Sequence, residues 1–108
     1  MGKVEYSPIA LEDLNNLNNY LIDNWGESVA RRILKKITTD IKKLEIFPLM
    51  GTNLAKVIDT PTDYRYLFVE KNYVFYHAEQ DKVRIVRVLN EQQDFISHLF
   101  GVTDAEDK

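Results

Sequence analysis

The amino-acid sequence predicts an α+β fold in which two antiparallel helices pack on one face of an antiparallel β-meander. Two long segments in the first half carry apolar residues at helical spacing. Three later segments are rich in aromatic and β-branched residues, and tight polar turns separate them. The resulting order, β-α-α-β-β-β with a short C-terminal helix, predicts a two-layer domain.

The chain is predicted to start with a strand over Lys3–Tyr6 and to continue directly into a helix. Ser7 followed by Pro8 is typical of a helix start, because the hydroxyl caps the helix and proline needs no N–H there. Gly26 is expected to end this helix. Its predicted apolar face consists of Ala10, Leu14, Leu17, Leu21 and Trp25.

A second helix is predicted to begin near Glu27 and to end before Pro48. Because only about two residues join the two helices, they should fold back on each other as an αα-hairpin. The apolar stripe of the second helix comprises Ala30, Ile33, Leu34, Ile37, Ile41 and Leu44.

The second half of the chain is predicted to be a loop, a meander and a short helix. The loop spans Leu49–Asp63 and the last helix Asp94–Phe100. A single domain over residues 1–100 is expected, followed by a frayed acidic tail over 101–108. The predicted strands are Tyr64–Val69, Asn72–Ala78 and Lys82–Leu89.

Composition limits the functions to consider. The 108 residues carry a net charge of −3, so no overall basic field favours nucleic acid as the main partner. The absence of cysteine excludes disulfides and thiolate chemistry. No secretory signal and no apolar run of membrane-spanning length are present, so a cytoplasmic protein without a membrane partner is expected.

Positive charge is concentrated in the second predicted helix. Six basic residues and a single acidic one, Asp40, lie between Arg31 and Lys43. They lie off the apolar stripe, so they form either a solvated surface or a contact surface for an acidic partner or nucleic acid. The basic residues are Arg31, Arg32, Lys35, Lys36, Lys42 and Lys43.

Two strand arginines are expected to share a sheet face with apolar residues. Period-two alternation places Arg65 with Leu67 and Val69. The same alternation places Arg87 with Val83, Ile85 and Leu89. Each guanidinium should either reach out at the rim of the sheet or bind a carboxylate, and Asp94 is the expected partner for one of them.

Neither histidine has the spacing of a metal ligand. His77 and His98 lie too far apart for His-x-x-His, so neither a metal nor a cofactor is expected. His77 could act as a general base or be an ordinary surface residue. The sequence also lacks a glycine-rich phosphate loop and a nucleophile elbow.

A set of landmarks along nearly the whole chain resembles the RelE/ParE superfamily of bacterial toxins from type II toxin–antitoxin modules. No single landmark is specific for this superfamily, but the order and spacing of all of them together are specific for it. They are Tyr6, Pro8, Ala10, Asp13 and Leu14 at the first helix, Trp25 and Gly26 between the helices, Leu44, Pro48 and Gly51 after the second, Tyr64, Arg65, Tyr66, Leu67, Asn72, Tyr73 and Tyr76 in the sheet, and Arg87, Val88, Leu89 and Asp94 at the end.

The resemblance implies one of two activities. RelE-like members cut mRNA on the ribosome, using basic residues to stabilise charge on phosphate. ParE-like members inhibit DNA gyrase by binding it, and the long helical hairpin here is more similar to theirs. The resemblance also implies a neutralising antitoxin, a homodimer or a heterotetramer with that antitoxin, and a plasmid-stabilising role. If the protein is instead a nuclease, its catalytic residues should be Arg65, Tyr73, His77 and Arg87.

The chain departs from the RelE-like pattern at the nuclease positions. Tyr73 stands where those relatives place a catalytic arginine, and Gln92 and Gln93 stand where many place arginines before the residue matching Asp94. A neutral amide lacks the charge of a guanidinium, so this edge is expected to recognise a partner. An inactive relative that only binds antitoxin is the third alternative. The predicted partner-binding residues are Tyr73, Arg87, Gln92, Gln93, Asp94, Phe95 and His98.

Overall fold

The computed structural model describes residues 2–101 and confirms the predicted α+β fold. Beyond Gly101, the predicted acidic tail lies outside the described residues. The elements are β1 (Lys3–Tyr6), α1 (Pro8–Trp25), α2 (Glu27–Lys42) with a 3-10 turn over Lys43–Glu45, β2 (Thr52–Asn53), α3 (Ala55–Ile58), β3 (Arg65–Val69), β4 (Asn72–Ala78), β5 (Lys82–Asn90) and α4 (Phe95–Phe100).

The strands form one five-stranded sheet in the order β1-β5-β4-β3-β2. The predicted meander of β3, β4 and β5 is antiparallel, and β1 pairs in parallel with β5. The segment predicted as a loop also contains two short elements that lack a sequence signal, β2 and α3. β2 extends the sheet by pairing with β3.

Ser7 and Gly26 bound the first helix as predicted. The Ser7 hydroxyl accepts a hydrogen bond from the Ala10 N–H at 3.0 Å, which satisfies a free donor of the first turn. Gly26 ends α1 with a φ of 93°, and α2 begins at the next residue. The side chain of Trp25 is 65% exposed, so its predicted place in the core is wrong. It is the last residue of α1, at the tip of the hairpin.

The main core lies between the hairpin and the sheet. Ile37, Ile41 and Leu44 are completely buried against Val74 and Tyr76 of β4. The predicted stripe of α2 therefore faces the sheet at these three residues, whereas Leu34 borders an open depression outside both cores.

A second, smaller core lies on the opposite face of the sheet. Leu54, Phe75 and Leu89 are fully buried there. The short helices α3 and α4 contribute Ile58 and Phe95 to this cluster. The sheet face that the hairpin does not reach is thus partly covered by local segments of the same chain.

A β-bulge changes the alternation along β5. Phe75 pairs with Arg87 and Tyr76 with Ile85, so Val86 is an extra residue in β5. One extra residue reverses which side chains face the helices. Ile85 therefore packs in the main core and Leu89 in the second one, and the predicted common face of Arg87 with both is wrong.

Candidate partner-binding site

Arg87 is held by Asp13 of α1. Its Nε donates to Asp13 Oδ2 at 2.8 Å and its Nη2 donates to Asp13 Oδ1 at 3.0 Å. This bidentate hydrogen bonding raises the pKa of Arg87 above its ordinary value, so the residue stays charged. Asp94, the expected carboxylate partner, does not bind either strand arginine.

Asp13 also covers an open edge of the sheet. β1 ends at Tyr6, which leaves the outer edge of β5 unpaired beyond Ile85. The Ser7 hydroxyl donates to the Val86 carbonyl at 2.8 Å, and the Val88 N–H donates to Asp13 Oδ2 at 2.9 Å. Side chains from the start of α1 thereby replace the missing strand.

The polar stretch after β5 is a turn stabilised by its own side chains. The Asn90 N–H donates to Gln93 Oε1 at 2.7 Å, and the Gln92 N–H donates to Asn90 Oδ1 at 2.9 Å. Asp94 caps α4, because its Oδ1 accepts the Ser97 N–H at 3.3 Å. Gln93 and Asp94 therefore have local structural roles in addition to any recognition.

Arg65 anchors the loop that follows α2. Its Nη1 donates to the Gly51 carbonyl at 2.9 Å and to the Leu49 carbonyl at 3.4 Å. The Tyr76 hydroxyl donates to the Pro48 carbonyl and accepts the Gly51 N–H, each at 2.9 Å. A Cβ at position 51 would lie 2.5 Å from the Tyr76 hydroxyl, so only glycine fits this packing.

The four nuclease candidates do not converge on one site. Arg65 pairs with Tyr76, which packs beneath the hairpin, and it points to the adjoining loop. Tyr73 packs in the second core on the opposite face. His77 stacks on Tyr64, a residue of that second core, with ring centroids 4.3 Å apart. Arg87 lies at the β5 edge, bound to Asp13. Arg65 and His77 nevertheless border the same open depression, so the sheet separates Arg65 from Tyr73 only.

A groove lies between the hairpin tip and the end of the sheet where β4 begins and β5 ends. It consists of two adjoining depressions of about 380 and 500 Å³. We call it the tip groove. Its apolar side includes Leu17, Tyr20, Leu21, Trp25, Val29 and Ile33 from α1 and α2, and its polar side includes Asn72, Asn90, Glu91, Gln92 and Gln93.

The predicted partner-binding residues do not form one surface. Gln92 and Gln93 line the tip groove. Tyr73 and Phe95 contact each other in the second core, with ring centroids 5.5 Å apart. His98 is exposed on α4. Partner binding by each of these residues, as by Arg87 and Asp94, stays a prediction.

Sequence reasoning missed the helical side of the tip groove. The sequence pattern does not distinguish Tyr20, and it predicts Trp25 in the core because Trp25 continues the apolar spacing of α1. The position of Trp25 in the sequence could have indicated its exposure, since Trp25 immediately precedes the glycine that ends the helix. A large aromatic residue at a hairpin tip extends past the sheet that would cover it.

The basic face of α2 is largely paired within the chain. Lys36 and Lys43 both lie within 3.3 Å of Asp40, and Lys42 lies 3.4 Å from Glu45. Arg32 lies 3.7 Å from Glu70. Exposed pairs of this kind contribute little to stability, so they leave open both the solvated-surface and the contact-surface interpretation.

Residues 2–101 contain neither a membrane-spanning helix nor a cluster of metal-binding side chains. Within that range, no helix is both long and apolar enough to cross a membrane. The same residues hold no group of three histidine, cysteine or acidic side chains placed to bind a metal ion.

The hairpin-on-meander fold is the one that the resemblance to the RelE/ParE superfamily implied. Residues 4–95 match the family described as ParE toxin of type II toxin-antitoxin system, parDE. The chain therefore belongs to the ParE toxin family, and it is the toxin component of a type II module.

A solved structure shares the fold. The chain is similar to one described as the chromosomal ParDE TA system from P. aeruginosa, with a TM-score of 0.70. The match covers 83% of this chain and 96% of that one at 15% identity, which supports a shared fold and no more. No curated protein matches the chain.

Proposed function

We propose that this toxin acts by binding DNA gyrase and that a cognate antitoxin neutralises it. Gyrase is the target implied by the ParE-like character of the chain, and family membership supports that character. The antitoxin follows from the module type, and the structural neighbour is itself described as a toxin–antitoxin system.

The observation that carries the binding proposal is that Arg65, Tyr73, His77 and Arg87 do not all meet at one site. Cleavage of RNA needs cationic donors aimed at one phosphate, where negative charge develops in the transition state. Here Arg65 is engaged by loop carbonyls and Arg87 by a carboxylate. Arg65 and His77 border one open depression of about 470 Å³, but Tyr73 and Arg87 are not among the residues that line it.

The tip groove is the surface we assign to the antitoxin. It has an apolar side formed by helices and a side rich in amides, which suits an amphipathic helix. Asp13 and Gln93 already occupy the outward N–H groups of Val88 and Asn90. Helix docking therefore fits this edge better than addition of a partner strand.

Gyrase supercoiling tests the proposed target. Purified toxin is titrated into a supercoiling reaction, and the antitoxin encoded next to it is then added. We expect inhibition by the toxin and recovery with an equimolar amount of antitoxin. Unchanged supercoiling by a toxin preparation that stops growth in cells would show that gyrase is not the target.

A further inference from the structure

A second surface lies at the other end of α2, where the chain exposes a compact apolar segment. Residues 46–50 contain Ile46, Phe47, Leu49 and Met50, with exposed fractions between 43% and 63%. These are four of the eleven exposed large apolar side chains among residues 2–101. We call residues 46–50 the apolar knob.

The apolar knob is rigidly held. Arg65 and Tyr76 bind the carbonyls of Pro48, Leu49 and Gly51, as described above. The Phe47 N–H also donates to the Lys43 carbonyl at 2.9 Å. Two side chains of the sheet thus fix a loop whose own apolar residues face solvent. Such preorganisation lowers the entropy lost when a partner binds.

The shape of the apolar knob fits a cleft in a folded partner. Ile46 borders one open depression of about 540 Å³, and Leu49 borders another of about 470 Å³. The segment between them is therefore a ridge. A ridge suits insertion into a preformed cleft, whereas the tip groove suits a segment that folds as it binds.

Beside the apolar knob, the basic side chains are more exposed to solvent than the acidic side chains they pair with. Lys42 and Lys43 have side chains that are 76% and 56% exposed. Their partners, Glu45 and Asp40, are 29% and 16% exposed. Glu45 is turned inward and accepts the Val4 N–H at 3.1 Å. The ammonium groups therefore face an incoming partner, which should carry acidic groups at the rim of its cleft.

Self-association through this surface is disfavoured by area and shape. An apolar patch of this kind covers about 300–600 Å². A specific interface of standard size buries roughly 800 Å² on each partner, and a cleft reaches that area by enclosing the sides of a ridge, which a second ridge does not. Two ridges also fit each other poorly.

We propose that the apolar knob is the contact by which the toxin engages its cellular target, a folded protein with an apolar cleft edged by acidic residues. This inference rests on the proposed function, because it assumes a protein target. The apolar knob and the tip groove lie at opposite ends of α2, whose 16 residues span about 24 Å. Mutations can therefore separate target binding from antitoxin binding.

The test compares the wild-type toxin with the double variant Phe47→Ser/Leu49→Ser. The control is Ile9→Ser/Leu11→Ser, which removes two apolar side chains of similar exposure from α1. Growth arrest on induced expression is scored first, since it does not depend on the identity of the target. Gyrase supercoiling, antitoxin binding, thermal melting and gel filtration are measured on the same proteins.

We expect the apolar-knob variant to melt like the wild type, to bind antitoxin equally well, and to need about thirtyfold more protein for growth arrest and gyrase inhibition. The control should remain as toxic as the wild type. Lys42→Gln should also weaken inhibition, more at low salt than at high salt.

Other outcomes would overturn the inference. Full toxicity of the apolar-knob variant would exclude the apolar knob from target binding. Loss of antitoxin binding would assign it to the antitoxin, and a wild-type dimer that the variant converts to monomer would assign it to a second copy. A wild-type toxin without effect on growth would contradict the proposed function and remove this inference with it. If growth arrest depends on the apolar knob but gyrase is not inhibited, the inference stands and the target is a protein other than gyrase.

Discussion

At the scale of residues, the arginines that resemble catalytic groups support the fold. Arg65 binds the loop after α2, and Arg87 binds Asp13. The sequence predicted that each guanidinium either extends at the rim of the sheet or binds a carboxylate, and the second alternative holds for Arg87. The sequence could not identify Asp13, because 74 residues separate it from Arg87 and only the packing of α1 on β5 brings them together.

Asp13→Ala should destabilise the protein by about 2–4 kcal/mol. It leaves the half-buried Arg87 without its counter-charge and the Val88 N–H without an acceptor. Urea denaturation of both proteins measures the difference. The matched control is Asp23→Ala, an exposed residue of the same helix, which should change stability by no more than about 0.5 kcal/mol. Equal losses in the two variants would contradict a specific role for Asp13.

Tyr76 should make the free energy of unfolding depend on pH in the alkaline range. Burial raises the pKa of Tyr76 above its ordinary value of 10.0. Its contribution is therefore complete below about pH 10 and is lost as the pH rises through the folded-state pKa. Burial raises the pKa of Tyr6 as well, so part of the dependence belongs to that residue.

The expected result is a free energy of unfolding that decreases from about pH 10 upward. Tyr76→Phe should be less stable by about 1–2 kcal/mol at neutral pH, because it loses the hydrogen bonds to Pro48 and Gly51. It should also lose less stability in alkali than the wild type does. Urea titrations at several pH values measure both effects, and parallel pH profiles for the two proteins would contradict the assignment to Tyr76.

At the scale of elements, the sequence predicted the helix ends and strands that depend on residues close together in the chain. The Ser7–Pro8 helix start, the Gly26 break and the three meander strands follow from capping, backbone freedom and period-two alternation. The bulge at Val86 has no local signal, since it is defined by pairing with β4. For the same reason, β2 could not be predicted, because two residues form a strand only beside β3.

Ile37→Asp should prevent folding. Ile37 is completely buried between the hairpin and the sheet, and an unpaired carboxylate there costs several kcal/mol, which is comparable to the total stability of a domain. Thr39→Asp, on the exposed side of the same helix, is the control and should fold. Circular dichroism melting distinguishes them, and a native-like transition for Ile37→Asp would show that α2 faces the sheet differently.

At the scale of the whole molecule, both ends of the hairpin offer contact surfaces. The tip groove has Trp25 at its rim, and the apolar knob lies beyond the far end of α2. The sequence predicted an aromatic-rich sheet with surface left over for a partner. The structure places much of that surface in the second core instead, because α3 and α4 fold back over it.

Trp25→Ala should weaken antitoxin binding by about thirtyfold, which corresponds to about 2 kcal/mol. Trp25 is exposed in the free toxin and would be buried by a helix in the tip groove. Isothermal titration with the antitoxin from the adjacent reading frame measures the affinity. Ile9→Ala, at the opposite end of α1, should bind like the wild type. Unchanged affinity of Trp25→Ala would place the antitoxin elsewhere.

We propose that this toxin acts by binding a protein target, since the four nuclease candidates do not all meet at one site among residues 2–101. The most direct measurement is primer extension on mRNA held by programmed ribosomes after incubation with wild-type toxin, with the toxin–antitoxin complex as the control. Losing one charge-stabilising donor typically lowers a rate by about 10²–10³, and here Arg65 and Arg87 are both engaged elsewhere. The account predicts mRNA that stays intact at toxin concentrations that inhibit gyrase. Cuts in phase with codons, absent when antitoxin is bound, would contradict it.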